Sequence, residues 1–217
     1  MAKSIAIISL GSGVGKTTNA INIALALHKL NHKVLVFDAD FTKDNLKEHL
    51  GIHNIPVHLG HVFNGDAHIL DAVYRHPTGL KIIPSNTHDY DKLSYHYQDL
   101  TADHDYIIID TPSHPAHLKR VLENATDALI VHDPKYSSKN VLDAINLLED
   151  LRIVNLGIVL NNFSENSTGV LHGYHVIERI PPSEDIRKSF ELKNPLLHTH
   201  PRSEASNKFF IIARKLE

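Results

Sequence analysis

Between Ile8 and Leu27 the chain reads "ISLGSGVGKTTNAINIALAL", a stretch suited to phosphate chemistry. Gly11, Gly13 and Gly15 let the backbone turn tightly and point successive N–H groups inward, and a helix opening near Lys16 adds its positive N-terminal end. Gly11, Ser12, Gly13, Val14, Gly15, Lys16, Thr17 and Thr18 therefore make a candidate anion cradle. In such a cradle Lys16 reaches the β- and γ-phosphates of a nucleotide, Thr17 puts its hydroxyl on Mg²⁺, and Thr18 serves the α-phosphate region. The full pattern G-x-x-x-x-G-K-[ST] wants glycine six places before the lysine. Leu10 stands there instead. Two acidic stretches follow. In "VFDADFTKDNL" Asp38 and Asp40 lie two apart, so on a continuing strand both carboxylates emerge on one side, where a metal or an attacking water would sit. In "DYIIIDTPSH" an apolar run delivers Asp110 to a strand end. This is an acid placed to hold the shell of a Mg²⁺, followed by a proline-containing loop that can sense a γ-phosphate.

These groups need strands that stop at each of them. Short apolar, β-branched runs recur at "SIAIISL", "HKVLVFD", "LKIIP", "DYIIID", "DALIVH", "IVNLGIVLN" and "HVIERIP", as expected of strands buried on both faces of a parallel sheet. Helical patterns lie between them. "KTTNAINIALALHKL" carries apolar Ile21, Ala24, Leu25 and Leu27 and ends near Asn31, and "SSKNVLDAINLLEDL" carries Val141, Ile145, Leu148 and Leu151 after a serine cap. The closing "SEASNKFFIIARKLE" reads as a final amphipathic helix. Strand then helix, repeated, predicts an α/β fold with a doubly wound, mostly parallel sheet, helices on both faces and right-handed crossovers. Ligands of such sheets bind at the carboxyl ends of the strands, which is where the glycine loop, Asp38 and Asp110 fall. The loop after the second strand is expected beside the glycine loop.

Composition narrows the classes. A chain of 217 residues with 42% hydrophobic content can bury one large core, so residues 1–217 are expected to form a single domain. There is no cysteine, which removes disulfides, thiolate metal sites, iron–sulfur clusters and cysteine nucleophiles together. The N-terminal apolar run is too short for a membrane span and leads straight into the glycine loop, which predicts a soluble, cytoplasmic protein. A formal charge of -3 gives no global attraction to nucleic acid or anionic lipid.

The order of the glycine loop, "DAD" followed by "NL", then "DTP", "LNN" and "IPPSEDIRKSF" resembles the MinD/ParA family of P-loop ATPases, and its MinD-like branch above all. The likeness runs over nearly the whole chain. "IPVHLGHVFNGDAHILDAVYRHPTGLKIIPS" resembles the segment in which a small helix pair leads into a strand ending in proline, and "NPLLHTHPRSEASNKFFIIARKLE" resembles the last turn and helix. The resemblance implies an ATP-bound pair of subunits enclosing two nucleotides, dissolved by hydrolysis to ADP, and a nucleotide switch that places or regulates a protein partner. It puts Lys16 and Thr17 on the phosphate and Mg²⁺ positions, Asp40 on the acid that positions the attacking water, and Asp38 and Asp110 on acids near the metal. It also puts Asn161 on the asparagine that reads the adenine edge, and Pro181 or Pro182 on residues flanking the base. Asn161 has its own logic, because an amide offers the donor and acceptor that the N6/N7 edge of adenine presents. Asn162 is adjacent and is the alternative.

Departures from the resembling pattern carry expectations too. The family loop reads K-G-G-x-G-K-T, and its first lysine crosses to the partner subunit's phosphates. That place is Gly11 here, and the next glycine is Ser12. Phosphate binding is expected to survive, since the last five positions are intact, while turnover is expected to be slow and the ATP-dependent dimer weak. After "DTP" the chain has Ser113-His114-Pro115, where the family has a small residue and a glycine, so switch motion is expected to differ as well. Iron–sulfur relatives are excluded by the missing cysteines. The division-site members carry a C-terminal membrane helix, and the end at Glu217 predicts none; Phe209, Phe210, Ile211 and Ile212 are assigned to core packing. The 18 histidines include pairs at 58 and 61, 172 and 175, and 198 and 200, which keep a metallochaperone alternative open, although each pair lacks a clear third ligand. A non-hydrolytic ATP-gated binding module is the other alternative. A ligase-like synthetase is disfavoured because no dedicated substrate pocket is distinct.

Overall fold

The computed structural model describes residues 2–42, 45–85, 87, 89–165 and 173–217. The chain runs β1 (Lys3–Ile8), α1 (Lys16–Lys29), β2 (Val34–Asp38), α2 (Asn45–Leu50), α3 (Leu59–Asn64), a 3₁₀ turn at Ile69–Ala72, β3 (Tyr74–Arg75) and β4 (Lys81–Ile83). It continues through α4 (Leu93–Thr101), β5 (Tyr106–Asp110), α5 (Pro115–Leu122), β6 (Asp127–His132), α6 (Lys139–Leu151) and β7 (Val154–Leu160). β8 (Val176–Arg179), α7 (Glu184–Glu191), α8 (Leu196–Thr199) and α9 (Glu204–Leu216) complete it. Among the described residues the strands form one eight-stranded sheet in the order β3-β4-β2-β5-β1-β6-β7-β8. Only the β3–β4 pair is antiparallel.

The seven apolar runs read from the sequence are all strands. Every residue of β2, β5 and β6 is buried, because helices cover both faces and leave no solvated side on which polar residues could alternate. On one face α1 packs with α9, α2 and α8; α3, α4, α5 and α6 cover the other. β3 is an addition. Its two residues carry no periodic signal and become a strand only by pairing back on β4 across the tight turn at 76–79.

α1 sits at the centre. Its start is fixed by Gly15, at φ 95°, and its stop by Asn31, at φ 71°, both in the left-handed region that ends or precedes regular helix. Ala20 to Leu27 are buried without a solvent face apart from the small polar Asn22, itself buried and accepting the Leu197 N–H. A helix buried all round is rigid, so its N-terminal groups are held in place. α9 is capped by Ser203, whose hydroxyl accepts from the Ser206 N–H at 3.1 Å, and it turns Phe209, Ile212, Ala213 and Leu216 into the core.

Candidate functional site

Parallel pairing brings the carboxyl ends of β1, β5 and β2 side by side, with β5 in the middle. Asp38 and Asp110 are register partners across β2 and β5, and Ile7 pairs with Asp110 across β1 and β5. β5 separates β1 from β2 in the sheet, yet the loop after β2 reaches the same cavity as the glycine loop through Asp40. A cavity of about 280 Å³ opens above these ends. The loop and first turn of α1 line it through Ser12, Gly13, Gly15, Lys16, Thr17 and Thr18, and Asp40, His49 and Ser113 close it.

Gly13 and Gly15 adopt φ 71° and 95°, which a side chain would strain. A β-carbon on Gly15 would also collide with the Asn161 amide unless that side chain moved. Lys16 is only 8% exposed and donates to Ser113 Oγ at 2.6 Å; Ser113 in turn donates to the Gly11 carbonyl at 3.3 Å. The lysine thus ties the first residues of α1 to the loop after β5. Val14, buried, gives its carbonyl to Asn161 and packs into the core. Thr18 Oγ1 is 3.4 Å from His49 Nε2.

The acids divide into two layers. Asp40 lines the cavity and accepts from Thr42 Oγ1 at 2.5 Å. Asp38 does not share that opening, contrary to the expectation from their spacing: it is fully buried, accepting from Ser85 Oγ at 2.8 Å and from the Asp40 N–H at 3.2 Å. The strand ends at Asp38, so the two-residue alternation no longer governs Asp40. Burial and the neighbouring Asp110 charge push the Asp38 carboxyl well above the usual carboxylate range. Asp110 accepts from Thr17 Oγ1 at 2.7 Å through Oδ2, while its Oδ1 is buried and has no hydrogen-bond partner among the described residues. Burial raises its pKa to about 6. An orphaned carboxylate oxygen beside a threonine hydroxyl, next to a second buried carboxyl, fits a hard divalent cation such as Mg²⁺.

On the other side of the loop, Asn161 follows β7 and its Nδ2 donates to the Val14 carbonyl at 2.8 Å. Asn162, at φ 54°, gives its Nδ2 to Asp133. Backbone bonds from Ile180 to Leu160 and from Phe163 to Ile180 hold the 180–182 segment against the loop after β7. Pro181 is half-buried there and Pro182 exposed; neither borders the 280 Å³ cavity. Gly11 lies outside the left-handed region, and a β-carbon on it would stand 3.3 Å from Asn140 Nδ2.

Sequence reasoning passed over Ser113, Ser85 and His49 as site residues, since a lone serine or histidine carries no signal until its partner is known. His58, His61 and His200 have partners of their own. His58 and His61 cap α3: His58 Nδ1 accepts from the Gly60 N–H and His61 Nδ1 from the His58 N–H. His200 meets Thr199 and stands 3.9 Å from Asp185. His172 lies outside the described residues, and so does the stretch from Asn166 to Leu171. No described helix is long and apolar enough to cross a membrane.

The family profile described as "AAA domain" matches residues 2–156. An uncharacterized ATP-binding protein of Methanocaldococcus jannaschii is 34% identical over 100% of this chain and 88% of its own length. The septum site-determining protein MinD of Pyrococcus horikoshii, solved with Mg-ADP, is 25% identical with a TM-score of 0.91, covering 100% of this chain and 96% of that one. MinD in the MinC:MinD complex of Aquifex aeolicus is 26% identical with a TM-score of 0.87, over 99% and 96%. By the domain match over residues 2–156 and these likenesses along the whole chain, this chain belongs to the MinD/ParA family of P-loop ATPases.

Proposed function

We propose that the chain is an ATP switch, acting as one domain, that binds Mg²⁺-ATP, hydrolyses it slowly to ADP and phosphate, and in its ATP-bound form places or regulates a protein partner. The observation that carries this reading is the meeting of Lys16, Thr17 and Asp40 around one cavity of about 280 Å³, with Asp110 buried behind it and bonded to Thr17. Gly13 and Gly15 turn backbone N–H groups to the phosphates, and Lys16 exchanges the Ser113 hydroxyl for a phosphate oxygen. Thr17 and Asp110 would hold the Mg²⁺, which would supply neutralisation of charge on the phosphate oxygens. Asp40, on the cavity wall, orients the attacking water. Asn161 donates one N–H to the Val14 carbonyl and keeps Oδ1 as an acceptor that suits the adenine amino group; Pro181 and Pro182 flank the base. Support for a partner comes from the Aquifex protein, solved in a complex with MinC.

Titration with labelled ATP, ADP and GTP, with and without Mg²⁺, tests the reading. Mg²⁺-ATP should bind more tightly than Mg²⁺-GTP, and Lys16→Ala should abolish binding. Equal affinity for the two nucleotides removes the role given to Asn161, and binding that survives Lys16→Ala removes the cradle. Gly11 favours a second reading, a non-hydrolytic ATP-gated module, because no cation stands where the family supplies one in trans. Phosphate release in a single-turnover experiment separates the two.

A further inference from the structure

At the opposite end of α1 and β2 from the nucleotide cradle, a second cavity of about 380 Å³ is lined by His28, His32, Lys33, Arg75 and Lys81, with no carboxylate on its wall. A cluster of this sign is unexpected in a chain whose formal charge is -3. Its geometry is built. Arg75 and Lys81 are direct register partners across the antiparallel β3–β4 pair, and like charges directly opposite one another destabilise a sheet. The turn that brings them together needs Gly79 at φ 89°, where a β-carbon would come 2.9 Å from His28 Nε2. Lys81 is then fixed from behind without being neutralised. Its ammonium donates to His104 Nε2 at 3.3 Å, while His104 Nδ1 donates to the Leu100 carbonyl at 2.8 Å, so the buried imidazole is the neutral tautomer. Burial, with the Lys81 charge adding to it, holds His104 below the usual imidazole range.

Counter-charges are few. His32 meets Glu217 at 2.7 Å and Asp105 accepts the Lys33 backbone N–H, but the side chains of Lys33, Arg75 and Lys81 form no ion pair among the described residues. The carbonyls of Ala26, Leu27 and His28 near the end of α1 are taken up by the N–H groups of Leu30, Asn31 and His32. Three permanent cations converging on one concavity call for more than one negative charge, and the guanidinium fork of Arg75 matches the paired oxygens of a phosphate or carboxylate. The volume is that of a small-molecule site. We propose that this cleft, formed by the end of α1, the start of β2 and the β3–β4 turn, binds a small anion carrying two or more phosphate or carboxylate groups.

Calorimetric titration with two probes, inorganic pyrophosphate for phosphate groups and citrate for carboxylates, tests this in the Lys16→Ala chain, so that the nucleotide cradle does not register. One saturable site is expected for at least one probe, with affinity reduced tenfold or more by Arg75→Gln with Lys81→Gln, about the loss of one charge-assisted hydrogen bond. Both side chains reach solvent, so the thermal transition of the double variant should match its parent; should it not, Lys33→Gln replaces it with the same expectation. Absence of saturable binding by both probes up to about 10 mM, or unchanged affinity in the variants, overturns the proposal. So does binding of an Asp/Glu-rich peptide where both small anions fail, which would make the cleft a protein-docking surface. Because the cradle is silenced throughout, failure here leaves the ATP reading untouched.

Discussion

Asp110 concentrates the electrostatics of the site: one oxygen bonded to Thr17, the other orphaned, and Asp38 alongside on the next strand. A carboxyl raised to about 6 from an ordinary 3.8 binds more protons folded than unfolded between those values. Stability from this group is therefore full below about pH 4 and lost as pH rises through about 6. Urea midpoints of the metal-free protein should fall over that window, and Asp110→Asn should flatten the slope, since Asp38 also loses its like-charged neighbour. An unchanged slope in the variant would place the effect elsewhere. Asp40, on the cavity wall, tests a different role: Asp40→Ala should leave ATP affinity nearly intact and lower turnover by roughly 10²-fold or more, the scale of a general acid–base contribution. Joint loss of binding and turnover would assign it to the metal site or the fold. Lys16 and Thr17 were readable because they close a glycine-rich loop, and Asp110 because it closes an apolar run; Ser113 and Ser85 were not, because a hydroxyl acquires meaning only from the group it meets.

Elements were legible wherever burial imposed a period. β2, β5 and β6 are buried throughout and carry continuous apolar runs because they are covered on both sides, and α6 shows its stripe at Val141, Ala144 and Leu148. α2, α3, α5 and the 3₁₀ turn are too short for a stripe to stand out. The apolar quartet of α9 has one observed use. Phe209 and Ile212 are fully buried in the cluster that includes α1, and Phe210 and Ile211 are half-buried. Phe209→Ala should cost about 3–5 kcal/mol in denaturant unfolding, the usual range for a buried phenylalanine, and should not change sedimentation with anionic vesicles. A drop in vesicle binding with unchanged stability would reverse the assignment to the core.

For the whole molecule the open question is association. Gly11 removes one charge-assisted contact per nucleotide if two subunits meet face to face, worth about 1.5–3 kcal/mol at each of two sites, or roughly 10²- to 10⁴-fold in dimer affinity. The wild type should be monomeric at low concentration with Mg²⁺ and a non-hydrolysable ATP analogue, and Gly11→Lys should dimerise more strongly. The substitution is structurally accessible, because Gly11 has no left-handed φ and Asn140 need yield only a few tenths of an ångström. Sedimentation of both proteins decides; a tight wild-type dimer would show that other face residues do the work and would remove the expectation of slow turnover. The sequence by itself determined the alternation of strand and helix, the glycine loop opening α1 and the acids at the strand ends, since these depend on side-chain period and on residues adjacent in the chain. Tertiary structure alone decided that β5 lies between β1 and β2, that Asp38 sinks onto Ser85 while Asp40 faces the cavity, and that Arg75 stands opposite Lys81. Strand order and cross-strand register join residues far apart in sequence, and no local periodicity records which strand a given strand will pair with.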